Sequence, residues 1–493
     1  MHKYKTHIIL LILFLIGFAL RFSSISQQLS YWNDESHAAF FARAITQTGI
    51  PQTPSGSGTG IYQLGFYYVT ALFFKLFGIT ELSGRLPSVL IGSLLIIVIF
   101  WITKKVSDTK SAFLASFLMA FSQIQLAWST QLRPYIWLEL FSLAVLYFSY
   151  KALSSKKMVE KNIIFASFSA LISAFFHGTG LINLAFISIV FIYKCIRDKQ
   201  YKYLLALIPA TLIAALFLYF SFGAGLANII GLFTTFHTYI VHYRVYLFYH
   251  YLWLLIGSGL GVLALWHKNK QLMFLLVGFI SLIFFIAIFK INPRYVRYSL
   301  PAFPLLYMLF AIGLVNVSEV LAKHLSFKYN KIIILILLSG LFLAWPIKKG
   351  KMIMQPQAYY GINNDMRENP IVDYKSAFIK IEKLIGDRED VIVMDAWNDR
   401  VPWYLPDQPF VWINRDGKGQ SPYGEKNIST PQQFEAIKKQ YPAGIVIVEN
   451  WESQTSPEMQ DYIRRTLKEE FGEQTVKGNE KDSWSITVYS WGL

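Results

Sequence analysis

Apolar residues dominate the first two thirds of this chain in long runs separated by short polar gaps. After the first run, about residues 8–20, they fall at about 86–103, 111–128, 134–153, 162–176, 181–196, 203–222, 248–266, 271–289, 300–320 and 331–347. About 17–25 apolar residues cross a bilayer as a helix, so the pattern predicts about eleven transmembrane helices. The first run could be a secretory signal, but Arg21 and Phe22 follow it instead of small residues. It reads as an uncleaved span. The weakest division is within 162–196, where only His177, Gly178, Thr179 and Gly180 stand between a pair of short runs.

Residues 21–85 are too long for a simple turn and form a first outer loop. Within it, 35–48 (ESHAAFFARAITQT) has the pattern of an interfacial amphipathic helix, and 51–60 (PQTPSGSGTG) breaks it. Residues 61–77 are apolar and aromatic but are soon followed by Glu81 and Arg85, which suggests a second helix at the membrane surface. If it crossed, the topology count would change.

Beyond about residue 350 the runs shorten to strand length. Val391–Asp395, Phe410–Ile413, Ile445–Glu449 and Trp484–Tyr489 alternate with helix-like stretches at about 373–385, 431–440 and 457–471. That alternation predicts a small α/β domain. The expected fold is a polytopic α-helical membrane protein with a C-terminal soluble α/β domain, divided into 1–349 (including the first outer loop) and 350–493. No Gly-rich phosphate loop opens any of the C-terminal helices, and no internal repeat appears.

Charge gives the orientation. Residues 1–349 carry +21 and residues 350–493 carry −5, within a total of +16. The cations cluster in every second gap: Lys104/Lys105/Lys110, Lys151/Lys156/Lys157/Lys161, Lys194/Arg197/Lys199/Lys202, Lys268/Lys270 and Lys323/Lys328/Lys331. This positive-inside pattern places the N-terminus in the cytoplasm and the C-terminal domain outside a cell (plasma) membrane. It accounts for the basic balance without nucleic acid. The single Cys195 rules out an internal disulfide.

Only eight carboxylates occur in residues 1–349. Asp108, Glu160, Asp198 and Glu319 lie beside basic residues, as solvated charges do. Asp34, Glu35, Glu81 and Glu139 fall toward the outer side. Asp34 either caps the amphipathic helix or serves as a general base on an incoming hydroxyl. Glu35 either orients it or joins it in binding a divalent cation; no metal site can be specified. Arg85, Arg133, Arg294 and Arg297 are the outer arginines. They either snorkel or converge on a phosphate, which guanidinium groups grip through paired hydrogen bonds. Tyr135 and His177 would share that rim, and Glu139 is either a helix-packing partner or a member of the site. Trp397, Trp403 and Tyr404 suit sugar stacking or, more simply, core packing.

Four segments, in this order, carry a resemblance. They are the Asp34–Glu35 pair in WNDESHAAFFARAI, the run GITELSGRLPS from Gly78 to Ser88, Arg133 and Tyr135 in RPY, and RYSLPAFPLL from Arg297. The arrangement over roughly 8–320 resembles the GT-C membrane glycosyltransferases, in the group of dolichyl-phosphate-mannose protein mannosyltransferases and lipid A aminoarabinose transferases. The resemblance implies an inverting transfer of sugar from a polyprenyl-phosphate donor to an acceptor hydroxyl on lipid, glycan or protein at the outer face. Asp34 would be the base, the arginines would hold the leaving phosphate, and an apolar groove would hold the prenyl tail. The Lys or Pro-Pro often found in such proteins before the second loop helix is missing from GTGIYQLGFYY. Two other classes fit the composition: a lipid or sugar transporter or flippase, and a glycan polymerase or ligase. A transporter would favour paired repeats and broken helices at mid-membrane, whereas the candidate groups here lie at one rim.

Overall fold

The computed structural model describes residues 2–26, 30–52, 61–155, 161–206, 235–291 except 237, 295–324, 331–352, 373–450 except 416 and 418–425, 455–473, 485–493, and isolated positions between 207 and 234. The chain divides into two compact units. One comprises Met1–Ser24, Gly60–Phe66 and Leu86–Gln357, and the other Ile25–Thr59, Tyr67–Arg85 and Ala358–Leu493. Residues 25–59 and 67–85 of the first outer loop fall in the same unit as residues 358–493.

The helices of the membrane region begin with α1 (His2–Ser26), α2 (Asn33–Thr48), α3 (Leu64–Phe77), α4 (Glu81–Val106), α5 (Thr109–Phe121), α6 (Gln123–Ser129), α7 (Tyr135–Ser154), α8 (Lys161–Phe176) and α9 (Leu181–Arg197). Then follow α10 (Ile240–Lys268), α11 (Lys270–Phe289), α12 (Ala302–His324) and α13 (Lys331–Lys348). Among the described residues, eight helices are long and apolar enough to cross a membrane, and α3, α5 and α8 are shorter apolar helices. Eight of the eleven expected spans are long helices among the described residues. The 111–128 run is broken at Ser122, the 162–176 run makes only the 16-residue α8, and half of 203–222 lies outside the described residues. The chain is a multi-pass membrane protein.

The break at Ser122 has a clear physical basis. Its extended backbone (φ −66°, ψ 131°) ends α5, which leaves α5 carbonyls without helical donors. Arg21 of α1, fully buried, supplies them: Nη2 donates to Met119 O at 2.9 Å and Nη1 to Ala120 O at 3.2 Å. Gln123 N–H donates instead to Lys351 O at 2.8 Å, and Tyr307 OH donates to Ser122 Oγ at 2.8 Å. A hydropathy pattern does not mark such a break, because Ile124, Leu126, Ala127 and Trp128 carry the apolar run past it.

Helices α10 and α12 pack backbone to backbone. A Cβ at Gly261 would lie 2.0 Å from Leu309 O, and one at Gly313 would lie 2.5 Å from Gly257 O. Small residues that admit this approach are a principal means of helix association in lipid.

The C-terminal region adds α14 (Tyr374–Ile385), β1 (Val391–Asp395), α15 (Arg400–Tyr404), β2 (Phe410–Ile413), β3 (Lys426–Ile428), α16 (Pro431–Gln440), β4 (Ala443–Glu449), α17 (Pro457–Thr466), β5 (Lys468–Glu473) and β6 (Ile486–Trp491). The sheet order is β3-β2-β1-β4-β6-β5; β3, β2, β1 and β4 are parallel and the last two are antiparallel. Alternation along β1 makes two cores. Val391 and Val393 pack with Phe378 and Ile381 of α14, while Ile392 and Met394 pack with Phe434, Ile437, Met459 and Ile463 of α16 and α17. The stretch expected as helix at 457–471 stops at Thr466 and continues as β5.

Candidate active site

The acidic pair lies in the first turn of α2, whose N-cap is Trp32. Asp34 is therefore the second helical residue and not the cap. Acidic groups in a first helical turn are favoured by the positive end of the helix dipole. Neighbouring helical residues point about 100° apart, and here Glu35 is buried while Asp34 is partly exposed.

Glu35 is fully engaged. Its Oε1 accepts from Arg85 Nε at 2.8 Å, and its Oε2 accepts from Arg85 Nη2 at 2.7 Å and from Trp32 N at 3.4 Å. Arg85 Nη2 also donates to Ser30 O at 2.9 Å, and the guanidinium lies 4.9 Å from the Tyr31 ring centre. Tyr31 OH donates to Thr80 O at 3.2 Å. Burial pushes the Tyr31 phenol well above its ordinary range, so it stays a donor. Arg85, expected among phosphate ligands, and Glu35, expected in catalysis, thus brace each other and fix the turn that presents Asp34. The fork geometry explains why the pair forms: planar guanidinium and carboxylate satisfy each other through two parallel bonds.

The same unit contains a buried acidic network at the carboxyl ends of β1 and β4. Arg400 Nη2 donates to Asp395 Oδ1 at 2.7 Å, Arg400 Nη1 lies 3.2 Å from Glu449 Oε1, and Trp397 Nε1 donates to Glu449 Oε1 at 2.7 Å. Asp399 is 1% exposed, and neither of its oxygens has a hydrogen-bond partner among the described residues. Three acids here face one guanidinium. Burial pushes the Asp399 carboxyl up to about 7; Arg400 opposes this, and the charges of Asp395 and Asp34 add to it. Asp34 therefore feels Asp399 electrostatically, a relationship nothing in the sequence signalled. Trp403 lies 5.2 Å from Tyr31 and Tyr404 stacks 4.9 Å from Phe378, contacts that fit the packing alternative. Trp397 is held by its bond to Glu449.

In the membrane unit, three separate connections bring four expected residues together. Arg133 stands in the turn before α7, 5.5 Å from the Tyr135 ring centre, with Nη2 3.4 Å from the Tyr135 hydroxyl. Arg297, on the 3-10 turn before α12, lies 5.7 Å from that same ring, 4.1 Å from Tyr295 and 5.6 Å from Tyr298. The His177 ring is 5.0 Å from Tyr135 and 6.3 Å from Tyr298. Thr179 N–H donates to His177 Nδ1 at 3.2 Å, which leaves the proton of a neutral imidazole on Nε2. Both arginines are buried. Burying two cations together is costly; the negative faces of shared aromatic rings offset some of that cost. Tyr295 and Tyr298 were missed at the level of sequence, although both lie inside the NPRYVRY segment that held the arginines. Arg294 lies outside the described residues.

Glu139, one turn along α7 from Tyr135, is fully buried and accepts from Gln125 Nε2 at 2.9 Å. This fits the helix-partner alternative, a polar contact joining α6 to α7. Among the described residues no group of three or more His, Cys, Asp or Glu side chains is placed to hold a metal ion.

Membrane helices followed by a C-terminal α/β region make a fold that has counterparts among solved structures. Residues 64–181 match the family described as dolichyl-phosphate-mannose-protein mannosyltransferase. The ArnT structure from Cupriavidus metallidurans bound to undecaprenyl phosphate is similar over 97% of this chain and 97% of its own, with TM-score 0.57 and 13% identity. The archaeal oligosaccharyltransferase AglB from Archaeoglobus fulgidus, in complex with an inhibitory peptide and a dolichol-phosphate, is similar over 90% of this chain and 69% of its own, with TM-score 0.57 and 13% identity. No curated protein sequence matches the chain.

Proposed function

We propose that this chain is a glycosyltransferase that uses a polyprenyl-phosphate-linked sugar. The observation that carries the reading is the convergence of Arg133 and Arg297, both buried, on the ring of Tyr135. A polyprenyl phosphate leaves with growing negative charge, and fixed cations stabilise that charge where it develops. The match of residues 64–181 to the mannosyltransferase family supports the same chemistry, as do the phosphate-bound lipids named for the similar folds.

In the proposed reaction the acceptor hydroxyl oxygen attacks the anomeric carbon from the face opposite the phosphate. The new carbon–oxygen bond forms as the bond to the phosphate oxygen breaks. The electron pair goes to the phosphate, the hydroxyl proton goes to Asp34, and the anomeric configuration inverts. Arg133 and Arg297 hold the phosphate, with Tyr135 and the Nε2–H of His177 as further donors. Glu35 and Arg85 position Asp34 and touch no substrate. The acceptor, on a lipid, a glycan or a protein, is met at the outer face, and the N-terminus is cytoplasmic.

The test is to incubate the purified chain in lipid nanodiscs with undecaprenyl-phosphate-linked mannose, glucose, galactose and aminoarabinose. Release of undecaprenyl phosphate, dependent on Arg297, is the expected result. No release from any donor under conditions where the chain is folded would remove this reading.

A further inference from the structure

In an open α/β sheet the crevice at the carboxyl ends of the strands, where strand order reverses, is where a ligand ordinarily binds. Here the order β3-β2-β1-β4 reverses between β1 and β4, and their last residues are Asp395 and Glu449. The position is filled by the protein itself. Arg400, fully desolvated, bridges the two carboxylates, with its guanidinium 4.1 Å from the Tyr374 ring centre and Tyr374 OH bonded to Glu449 Oε1 at 3.2 Å. Arg400 is also the first residue of α15, a single helical turn.

That turn grips the acidic loop. Tyr31 N–H, three residues before Asp34, donates to Tyr404 Oη at 3.0 Å. Arg43 Nη2, on α2, donates to Pro402 O at 2.8 Å, and the Arg43 guanidinium lies 5.4 Å from the Trp403 ring. Trp403 is also 6.1 Å from Phe74 of α3. A second strut joins Lys375 Nζ to Glu81 Oε2 at 3.0 Å. Every one of these contacts lies within one compact unit.

We propose that the C-terminal domain is a scaffold for the first outer loop: its ligand crevice is closed by Arg400, and α15 is a latch that sets the position of Asp34. Tyr404, Arg43 and Trp403 are then positioning residues. The proposal rests on the reading of Asp34 as the base, and it accounts for a domain that carries no acceptor motif of its own.

The experiment uses the full chain in nanodiscs with Tyr404→Phe, which deletes one oxygen, and Arg43→Met, which leaves the sheet core untouched. Phe434→Leu, in the core on the opposite face of the sheet, serves as the comparison. Two quantities are read: hydrogen exchange of the peptide containing Tyr31, and kcat and donor KM with whichever of undecaprenyl-phosphate mannose, glucose or galactose the wild type turns over fastest. Both latch variants are expected to raise exchange at Tyr31 and to lower kcat about tenfold with donor KM unchanged. Phe434→Leu lowers Tm but leaves kcat in place. Trp403→Phe retains activity that Trp403→Ala loses. Unchanged exchange at Tyr31 overturns the latch whatever the activity shows. Raised exchange with unchanged kcat also overturns it, provided Asp34→Asn is inactive. If Asp34→Asn is fully active, the assignment of the base fails instead, and exchange alone decides whether the latch exists.

Discussion

The guanidinium of Arg85 holds the carboxylate of Glu35 by two hydrogen bonds, 2.8 and 2.7 Å long, with both side chains nearly excluded from solvent. Fifty residues separate them, and one sits beside the acid assigned as the base. Removing one partner of a buried pair leaves the other charge uncompensated, a cost of about 3–5 kcal/mol. Glu35→Gln and Arg85→Met are therefore expected to lower thermal stability and activity together. Arg85→Lys keeps the charge but loses the fork, and falls between. A Glu35→Gln protein with unchanged Tm and rate would show that the pair is dispensable.

Arg133 and Arg297 are expected to act on the donor. A hydrogen bond to a charged group contributes about 1.5–3 kcal/mol, so Arg133→Ala or Arg297→Ala should weaken use of the polyprenyl-phosphate donor by roughly 10–100-fold, with acceptor saturation little changed. Because both arginines meet at Tyr135, the double variant should be non-additive. Steady-state kinetics at varied donor concentration reads this directly.

Asp399 makes stability depend on pH. Its folded-state pKa of about 7 lies above the ordinary aspartate range because burial disfavours the charged form. The folded chain therefore binds this proton more tightly than the unfolded chain. The stabilisation is complete below the unfolded value and is lost as pH rises through about 7. Asp399→Asn has no charge to bury and should be the more stable protein at about pH 8.5, by a few kcal/mol at most. At about pH 4 the two should melt alike. Thermal unfolding of both proteins at the two pH values tests this, and parallel curves would contradict it.

Much of the fold was legible because its cause is local. Long apolar runs must form helices in lipid, since backbone groups there have no water to bond, and strand-length runs after residue 350 marked β1, β2, β4 and β6. The break at Ser122 escaped, because the groups that satisfy it, Arg21 and Lys351, come from the two ends of the membrane unit. In the site, Arg133, Tyr135, His177 and Arg297 stood out as rare polar residues at one rim. The pairing of Glu35 with Arg85, the gathering of Tyr295 and Tyr298, and the buried Asp399 did not. Each depends on which side chains meet across long stretches of chain, and a sequence read alone gives residue types without their partners.

Asp34→Asn measures the central claim most directly. The exchange is nearly isosteric and leaves the Glu35–Arg85 brace in place, so Tm and membrane insertion should match the wild type. Loss of a general base should lower kcat on the order of 10²–10⁴-fold, with the donor still bound and its KM little changed. An Asp34→Asn protein that releases undecaprenyl phosphate at the wild-type rate would contradict the account.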